Sequence, residues 1–235
     1  LTDNAFRPNV AIVTGAGKGI GRHVAIQLAS HQISVALVSR TSSDLKSLEE
    51  GIRATGVNAI AVPTDISRAK DVEELFHETA ERLGPVDILI NNAGIVEPAL
   101  VVDTAEESWD RVLDINLKGA FLCTRLALPS MIQRARGRII NISSISGRLG
   151  TAYLASYCAS KWGLIGLTKA VAEEVREHNI QVFAVCPGSV DTEMLKKGLP
   201  GAQPQMGPED VASAVVYLAT EAPNAMTGSV VDMFG

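Results

Sequence analysis

A short apolar run, Val10-Ala11-Ile12-Val13, meets Thr14-Gly15-Ala16-Gly17-Lys18-Gly19-Ile20-Gly21, after which Arg22 to Ala29 reads at helical period. Strand, glycine turn, helix is the unit from which an α/β sheet is built, and no other stretch constrains the fold as much. Glycine permits positive φ and close backbone approach, and a helix N-terminus offers free N–H groups and a positive dipole end to a pyrophosphate. Thr14, Gly15, Gly17, Lys18, Gly19, Ile20 and Gly21 are therefore expected around a dinucleotide. The strict spacing G-x-G-x-x-G fails in every register, because Ile20 or Arg22 stands where the third glycine belongs. What stands is G-x-x-x-G-x-G, and a turn without a ligand is the plainer reading of the same residues.

The next strand, Ser34 to Ser39, runs into Arg40-Thr41. A fold that uses NAD commonly places Asp or Glu here for the ribose 2′-hydroxyl. An arginine instead pairs with a 2′-phosphate, and Lys18 can add a second charge, so the expected cofactor is NADP(H), with Ser39, Arg40 and Thr41 at its ribose. Thr41-Ser42-Ser43-Asp44 reads as a capping box that opens a helix to Gly56. Ala59 to Val62 is a third strand. Asp65-Ile66 follow at its carboxyl end, either beside an adenine or, for Asp65, as a turn residue before the helix cap Ser67. A helix to Leu83 is broken by Gly84-Pro85, and the strand Val86 to Ile90 leads into Asn91-Asn92-Ala93-Gly94.

Thr104-Ala105-Glu106-Glu107 reads as a second capping box, opening a helical region to about Arg134 that carries Asn116. An asparagine there is unfavourable by propensity; it bonds backbone and bends the helix, or it holds a water beside a site. Arg138 to Ser143 is a fifth strand, with Ser144 at its carboxyl end. The helix Ala155 to Val175 then carries Tyr157-Cys158-Ala159-Ser160-Lys161. Residues four apart share a helix face, and a cation beside a phenol of ordinary pKa about 10 favours the phenolate. Taken alone, the pattern equally describes an amphipathic tyrosine beside a solvated lysine. The helix is apolar on nearly every side, through Trp162, Leu164, Ile165, Leu167 and Val171, so it must be covered twice, by the sheet and by another copy of the protein. A homo-oligomer, dimer or tetramer, is expected. A sixth strand, Gln181 to Val185, leaves through Cys186-Pro187-Gly188-Ser189-Val190-Asp191-Thr192. The irregular stretch 193–207 is the natural substrate lid, with Met194, Leu195, Leu199 and Met206 as an apolar wall. Two lysines on it, Lys196 and Lys197, either meet an acidic group or are solvated. A last helix starts at Pro208 and a closing strand covers Ser229 to Met233.

With 235 residues, 46% hydrophobic and 20% charged, and no linker, the chain suits one globular domain. A net charge of −5 with scattered cations offers no stripe for nucleic acid and no polybasic membrane face. The apolar runs are too short to span a bilayer and the start lacks a secretory signal, so a soluble cytoplasmic protein is expected. Cys123, Cys158 and Cys186 read as reduced packing residues with no metal-type spacing. A start at Leu1 rather than methionine leads us to expect residues ahead of it and beyond Phe234-Gly235.

Together these motifs resemble the short-chain dehydrogenase/reductase family along essentially the whole chain, from Thr14 to Val231-Asp232. The resemblance implies a Rossmann-type, doubly wound parallel sheet of about seven strands with helices on both faces. It implies that Thr14 to Gly21 bind the dinucleotide, that Asn92, Ala93 and Gly94 support its adenosine side, and that Pro187, Gly188, Val190 and Thr192 hold the nicotinamide carboxamide. Asn116, Ser144, Tyr157 and Lys161 match the family's catalytic set. Lys18 with Arg40 looks like its NADP(H)-preferring carbonyl, sepiapterin and 3-ketoacyl reductases. The implied reaction is hydride transfer to a small-molecule carbonyl, with Tyr157 as general acid, Ser144 bonding the carbonyl oxygen, Lys161 on the ribose and Asn116 anchoring a water. An alcohol or polyol dehydrogenase uses the same residues in reverse, and an NADP(H) sensor would use the fold without turnover.

Overall fold

The computed structural model describes residues 6–235, and the start at Leu1 lies outside them. Successive strand residues point to opposite faces, so strands that are apolar throughout need helices on both sides. In β1 (Val10–Thr14), Ala11 and Val13 enter one core and Ile12 the other. The alternation recurs in β2 (Ser34–Ser39), β3 (Ala59–Pro63), β4 (Ile88–Asn91), β5 (Gly137–Ile142) and β6 (Ile180–Pro187). Among the described residues, these strands and β7 (Val230–Met233) pair in parallel in the order β3-β2-β1-β4-β5-β6-β7.

The helices are α1 (Gly19–Ser30), α2 (Ser42–Arg53), α3 (Ala69–Arg82), α4 (Glu106–Leu113), α5 (Gly119–Gln133), α6 (Ala155–Glu174), α7 (Glu193–Gly198) and α8 (Pro208–Thr220). Residues of α1, α2 and α8 fill the core on the Ala11 face, and residues of α3, α5 and α6 fill the Ile12 face. The sheet is of the α/β class that the alternating signals implied and is doubly wound, as the family resemblance implied. Its order reverses at β1 and β4, so the chain leaves these neighbouring strands toward opposite faces and a crevice opens at their carboxyl ends.

Side chains tie that crevice together. The buried Thr14 hydroxyl donates to the Ile90 carbonyl at 3.2 Å and accepts from the Asn92 and Ala93 N–H groups, both at 3.0 Å. The Asn92 amide in turn donates to the carbonyls of Thr14 at 2.9 Å and Gly15 at 3.2 Å. Gly15 and Gly19 adopt φ of +68° and +52°, which a side chain would strain. Gly21 is required for space, since a Cβ there would lie 2.4 Å from both the Asn92 amide nitrogen and the Gly15 carbonyl oxygen.

Several local expectations are corrected. Neither predicted capping box forms: Thr41 precedes α2 without a side-chain cap, and the Thr104 hydroxyl donates back to Leu100. The acidic first turn of α4, Glu106 and Glu107, suits the helix dipole instead. Ser67 donates to Asp65, and α3 begins beyond it, after Arg68. The long helix to Arg134 is interrupted by a π-helical turn over Asp114–Lys118. The stretch 193–207 is not wholly irregular, because the Thr192 hydroxyl accepts from Leu195 N–H at 3.3 Å and starts the short helix α7.

Gly21→Ala is expected to lower stability by about 1–3 kcal/mol, the usual cost of overpacking, or roughly 2–4 °C in Tm per kcal/mol for a chain of this size. An unchanged Tm in a thermal melt would show that the tie between the strands tolerates a methyl group.

Candidate active site

The crevice is a cavity of about 940 Å³. Gly15, Gly17, Lys18, Gly19 and Ile20 line one end, and Asn92, Ala93 and Gly94 lie beneath it. Ser144, Tyr157 and Lys161 line the other end, and Pro187, Gly188, Val190 and Thr192 close the side. The wall thus gathers most of the residues expected at a dinucleotide and at a carbonyl, although they come from five separate stretches of chain.

Other predicted residues stand behind the wall or outside it. Thr14 and Gly21 serve the strand tie already described. The Ser39 hydroxyl accepts from Thr41 N–H at 3.3 Å and sits 3.4 Å from where a Gly17 Cβ would be, so it backs the glycine turn. Arg40 is exposed. Asp65 accepts from Ser67 N–H at 3.0 Å and from its hydroxyl at 2.7 Å, the turn geometry. Burial raises the Asp65 carboxyl, but these two bonds and the charges of Arg40 and Arg68 hold it below its ordinary range. Ile66 is buried, so close to Gly119 that a Cβ there would lie 2.7 Å from its Cδ1. The Lys18 ammonium lies 3.4 Å from Glu193 and 4.0 Å from Asp44.

Helix α6 sets the reactive end. Its inner stripe holds Tyr157, Ser160, Lys161, Leu164 and Thr168, all buried. Lys161 donates to the Ile142 carbonyl at 2.8 Å and lies 5.6 Å from the centre of the Tyr157 ring. Ser143 donates to the Lys161 carbonyl at 2.9 Å, docking the end of β5 on the helix. The Ser144 hydroxyl accepts from Ser146 N–H at 3.1 Å and faces the cavity. Asn116, in the π-helical turn, accepts from Ile95 N–H at 2.8 Å and donates to the Ile95 carbonyl at 2.9 Å and to Ser160 at 3.1 Å. Its amide therefore clamps the loop after β4. A π-helical turn breaks the regular i→i+4 ladder, which is how such turns come to serve functional sites.

Burial, rather than the neighbouring cation, governs the two titratable groups. It pushes the Tyr157 phenol up to about 12, with Ser144 acting in the opposite direction. It pulls the Lys161 ammonium down to about 8. Burial thus outweighs the acidity expected of the phenol in the protein alone; the ammonium lies over the ring and bonds Ile142. A phenol that keeps its proton is a proton donor.

Two site residues, Asp44 and Glu193, were not singled out as contacts from the sequence, and Met194 was read only as part of the lid's apolar wall. Asp44, read only as a capping residue, lines the cavity beside Lys18. Glu193 reaches Lys18 across it, and the Tyr157 hydroxyl donates to the Met194 sulfur at 3.8 Å. Spacing from Thr192 gave a signal for α7, whose first residue is acidic and whose last turn is basic, as the dipole favours.

The model of the short chain dehydrogenase family matches residues 9–202. The chain belongs to that family. It is 36% identical over 236 residues to a 3-oxoacyl-(acyl-carrier-protein) reductase of Staphylococcus epidermidis, covering 96% of this chain and 97% of the relative. The Staphylococcus aureus reductase of that name is 37% identical, covering 96% of each. That of Synechocystis is 37% identical over 227 residues, covering 92% of this chain and 91% of the relative. As a short-chain dehydrogenase the protein is an oxidoreductase, and its buried phenol and ammonium lie with the half-buried Ser144 along the cavity that the family's glycine turn lines.

Asn116→Leu is expected to remove the partner of both half-buried backbone groups of Ile95, at about 0.5–1.5 kcal/mol each. Hydrogen exchange at the Ile95 amide should rise while the strand amides of β5 stay protected; unchanged Ile95 protection would contradict the clamp.

Proposed function

We propose that the protein is an NADPH-dependent reductase of small-molecule ketones or aldehydes, of the carbonyl or 3-oxoacyl type, with Tyr157 as general acid. The observation that carries this reading is the buried Tyr157, with Ser144 and Lys161, on one wall of a cavity whose far end is the glycine turn. The turn fits a dinucleotide: Gly15 and Gly19 hold positive φ, and the first turn of α1 presents N–H groups and itself contains no acidic residue. Gly15, Gly17, Lys18, Gly19 and Ile20 would hold the phosphates, Asn92 to Gly94 the adenosine side, and Pro187 to Thr192 the carboxamide. The cofactor, NADP(H), supplies the hydride.

The chain's own residues do the rest. Tyr157 gives its proton to the carbonyl oxygen, and Ser144 donates a hydrogen bond that favours the charge developing there. Lys161 holds ribose hydroxyls and, through its charge, eases the phenol's loss of a proton. Asn116 orders the π-helical turn, where a water would link Lys161 to solvent. Since the relatives are 3-oxoacyl reductases by name, a 3-oxoacyl thioester is the first substrate to test. Segment 193–207 acts as the lid of a single catalytic domain. Exposed Phe121 of α5 and Trp162 of α6 lie on the outer helix surface, which supports a dimer or tetramer. The reading places the enzyme in the cytoplasm, where its three free thiols stay reduced.

Tyr157→Phe should abolish NADPH consumption and leave NADPH affinity within a few-fold; retained turnover would sink the role of Tyr157. Arg40→Ala should weaken NADPH by about tenfold or more and spare NADH, as loss of one charge-assisted phosphate contact of roughly 1.5–3 kcal/mol would. Equal losses for both would contradict the 2′-phosphate reading. The kcat/KM for NADPH reports the free enzyme. It should be level below about pH 8 and fall above it, as Lys161 loses its proton while Tyr157 keeps its own to about 12. A profile flat to pH 10 would show that the charge on Lys161 is not needed.

A further inference from the structure

The reacting phenol has an unexpected partner. The Tyr157 hydroxyl donates to the sulfur of Met194, 37 residues along the chain, at 3.8 Å. A substrate carbonyl must take that same hydrogen, and an O–H···O bond closes at about 2.7–2.8 Å. The thioether therefore stands where the carbonyl oxygen has to come, as a weak acceptor that a better one displaces.

What surrounds Met194 fixes where it can go. Val96, Leu154 and Tyr157 form a small buried cluster against which Met194 and Cys158 pack, separate from the two cores of the sheet. Val96, Leu154, Tyr157 and Met194 all line the cavity. Two of these walls are fixed by backbone. Leu154 follows Tyr153, whose carbonyl accepts from Ala99 N–H at 2.9 Å, and it bridges to Ala99. Val96 is pressed by α7, since a Cβ on Gly198 would lie 3.2 Å from its Cγ2. Tyr157 is held by α6. Helix α7 is itself seated by the Thr192 cap and by Thr192 against Gly19. Met194 is thus the one unbranched, three-torsion side chain among rigid neighbours, the type that fills and vacates irregular space.

We propose that Met194 is the specificity-determining residue of the substrate pocket. In the free enzyme its thioether occupies the carbonyl's place against Tyr157; once displaced, it forms the wall against the carbonyl's larger substituent, and its volume decides which ketones are reduced. The class selected is an uncharged ketone with an apolar substituent, because the walls are apolar and the nearest lid cation, Lys196, is paired with Asp191 at 3.1 Å. This inference rests on the reductase reading above.

The test uses the full chain with Met194→Ala, Met194→Leu and Met194→Phe. Each is assayed by NADPH absorbance on N-acetylcysteamine thioesters of 3-oxobutanoate, 3-oxohexanoate and 3-oxo-octanoate and on a 3-aryl-3-oxo thioester. Met194→Ala should raise the ratio of kcat/KM for the bulkiest over the smallest ketone by about 10–200-fold, the range that one or a few methylenes give in an apolar pocket. Met194→Phe should shift the ratio the other way. Met194→Leu, of similar volume but without the sulfur, should keep the ratio, and NADPH affinity should stay within about twofold in all three. Met194→Ala and Met194→Phe variants that lose rate equally on every ketone, or that keep the original ratios, overturn the role of Met194. If the unaltered protein binds NADPH but reduces none of the panel, the reductase reading itself fails, a result distinct from either.

Discussion

Two parallel strands that send the chain to opposite faces must be tied at their carboxyl ends, or the crevice between them has no defined floor. Thr14 and Asn92 make that tie between β1 and the exit of β4, each bonding the other's backbone. The glycine turn depends on it, because the Asn92 amide occupies the space beside Gly15 and Gly21 and leaves none for a Cβ. The position of the turn in turn fixes where Lys18 and the first N–H groups of α1 face the cavity. One pair of polar side chains therefore sets the geometry of the dinucleotide end.

A second run of buried polar groups sets the reactive end. Asn91 donates to Asn141 at 2.8 Å, Asn141 to Thr168 at 2.9 Å, and Thr168 to the Leu164 carbonyl at 2.8 Å, a chain from β4 through β5 to α6. Apolar packing alone is non-directional. These bonds give α6 one register on the sheet, and with it the heights of Tyr157 and Lys161. Burial then acts on both groups in opposite directions, raising the phenol and lowering the ammonium. The same low-dielectric wall that keeps the acid protonated makes the charge of Lys161 sensitive to pH near neutrality.

The sheet was legible because its evidence is periodic and repeated: apolar strands, exits such as the glycine turn and Asn91-Asn92-Ala93-Gly94, and helices between them. Tyr157, Lys161, Ser144 and the glycine turn were legible because each lies at the carboxyl end of a strand or on the face of a helix that follows one. What the sequence hid was contact between distant residues. Asp44 was read as a cap for α2 and proves to line the cavity beside Lys18. Asn116 was read as bonding backbone and bending the helix, or as a water anchor; it does bond backbone within a π-helical turn, but that of Ile95, 21 residues away, which spacing did not show. The acidity expected of Tyr157 assumed that helical spacing brings the ammonium to the phenol oxygen, whereas Lys161 turns to Ile142. Spacing gives the face, and packing decides the partner.

The central claim is that this cavity carries a hydride from a nicotinamide to a carbonyl carbon. The most direct measurement is turnover of acetoacetyl-N-acetylcysteamine with NADPH deuterated at the transferable position of nicotinamide C4, followed by mass spectrometry of the product. The account predicts a 3-hydroxy product carrying one deuterium on its carbinol carbon for each NADPH consumed. NADPH consumed without deuterium in the product, or tight binding of NADPH with none consumed by any ketone, would contradict it.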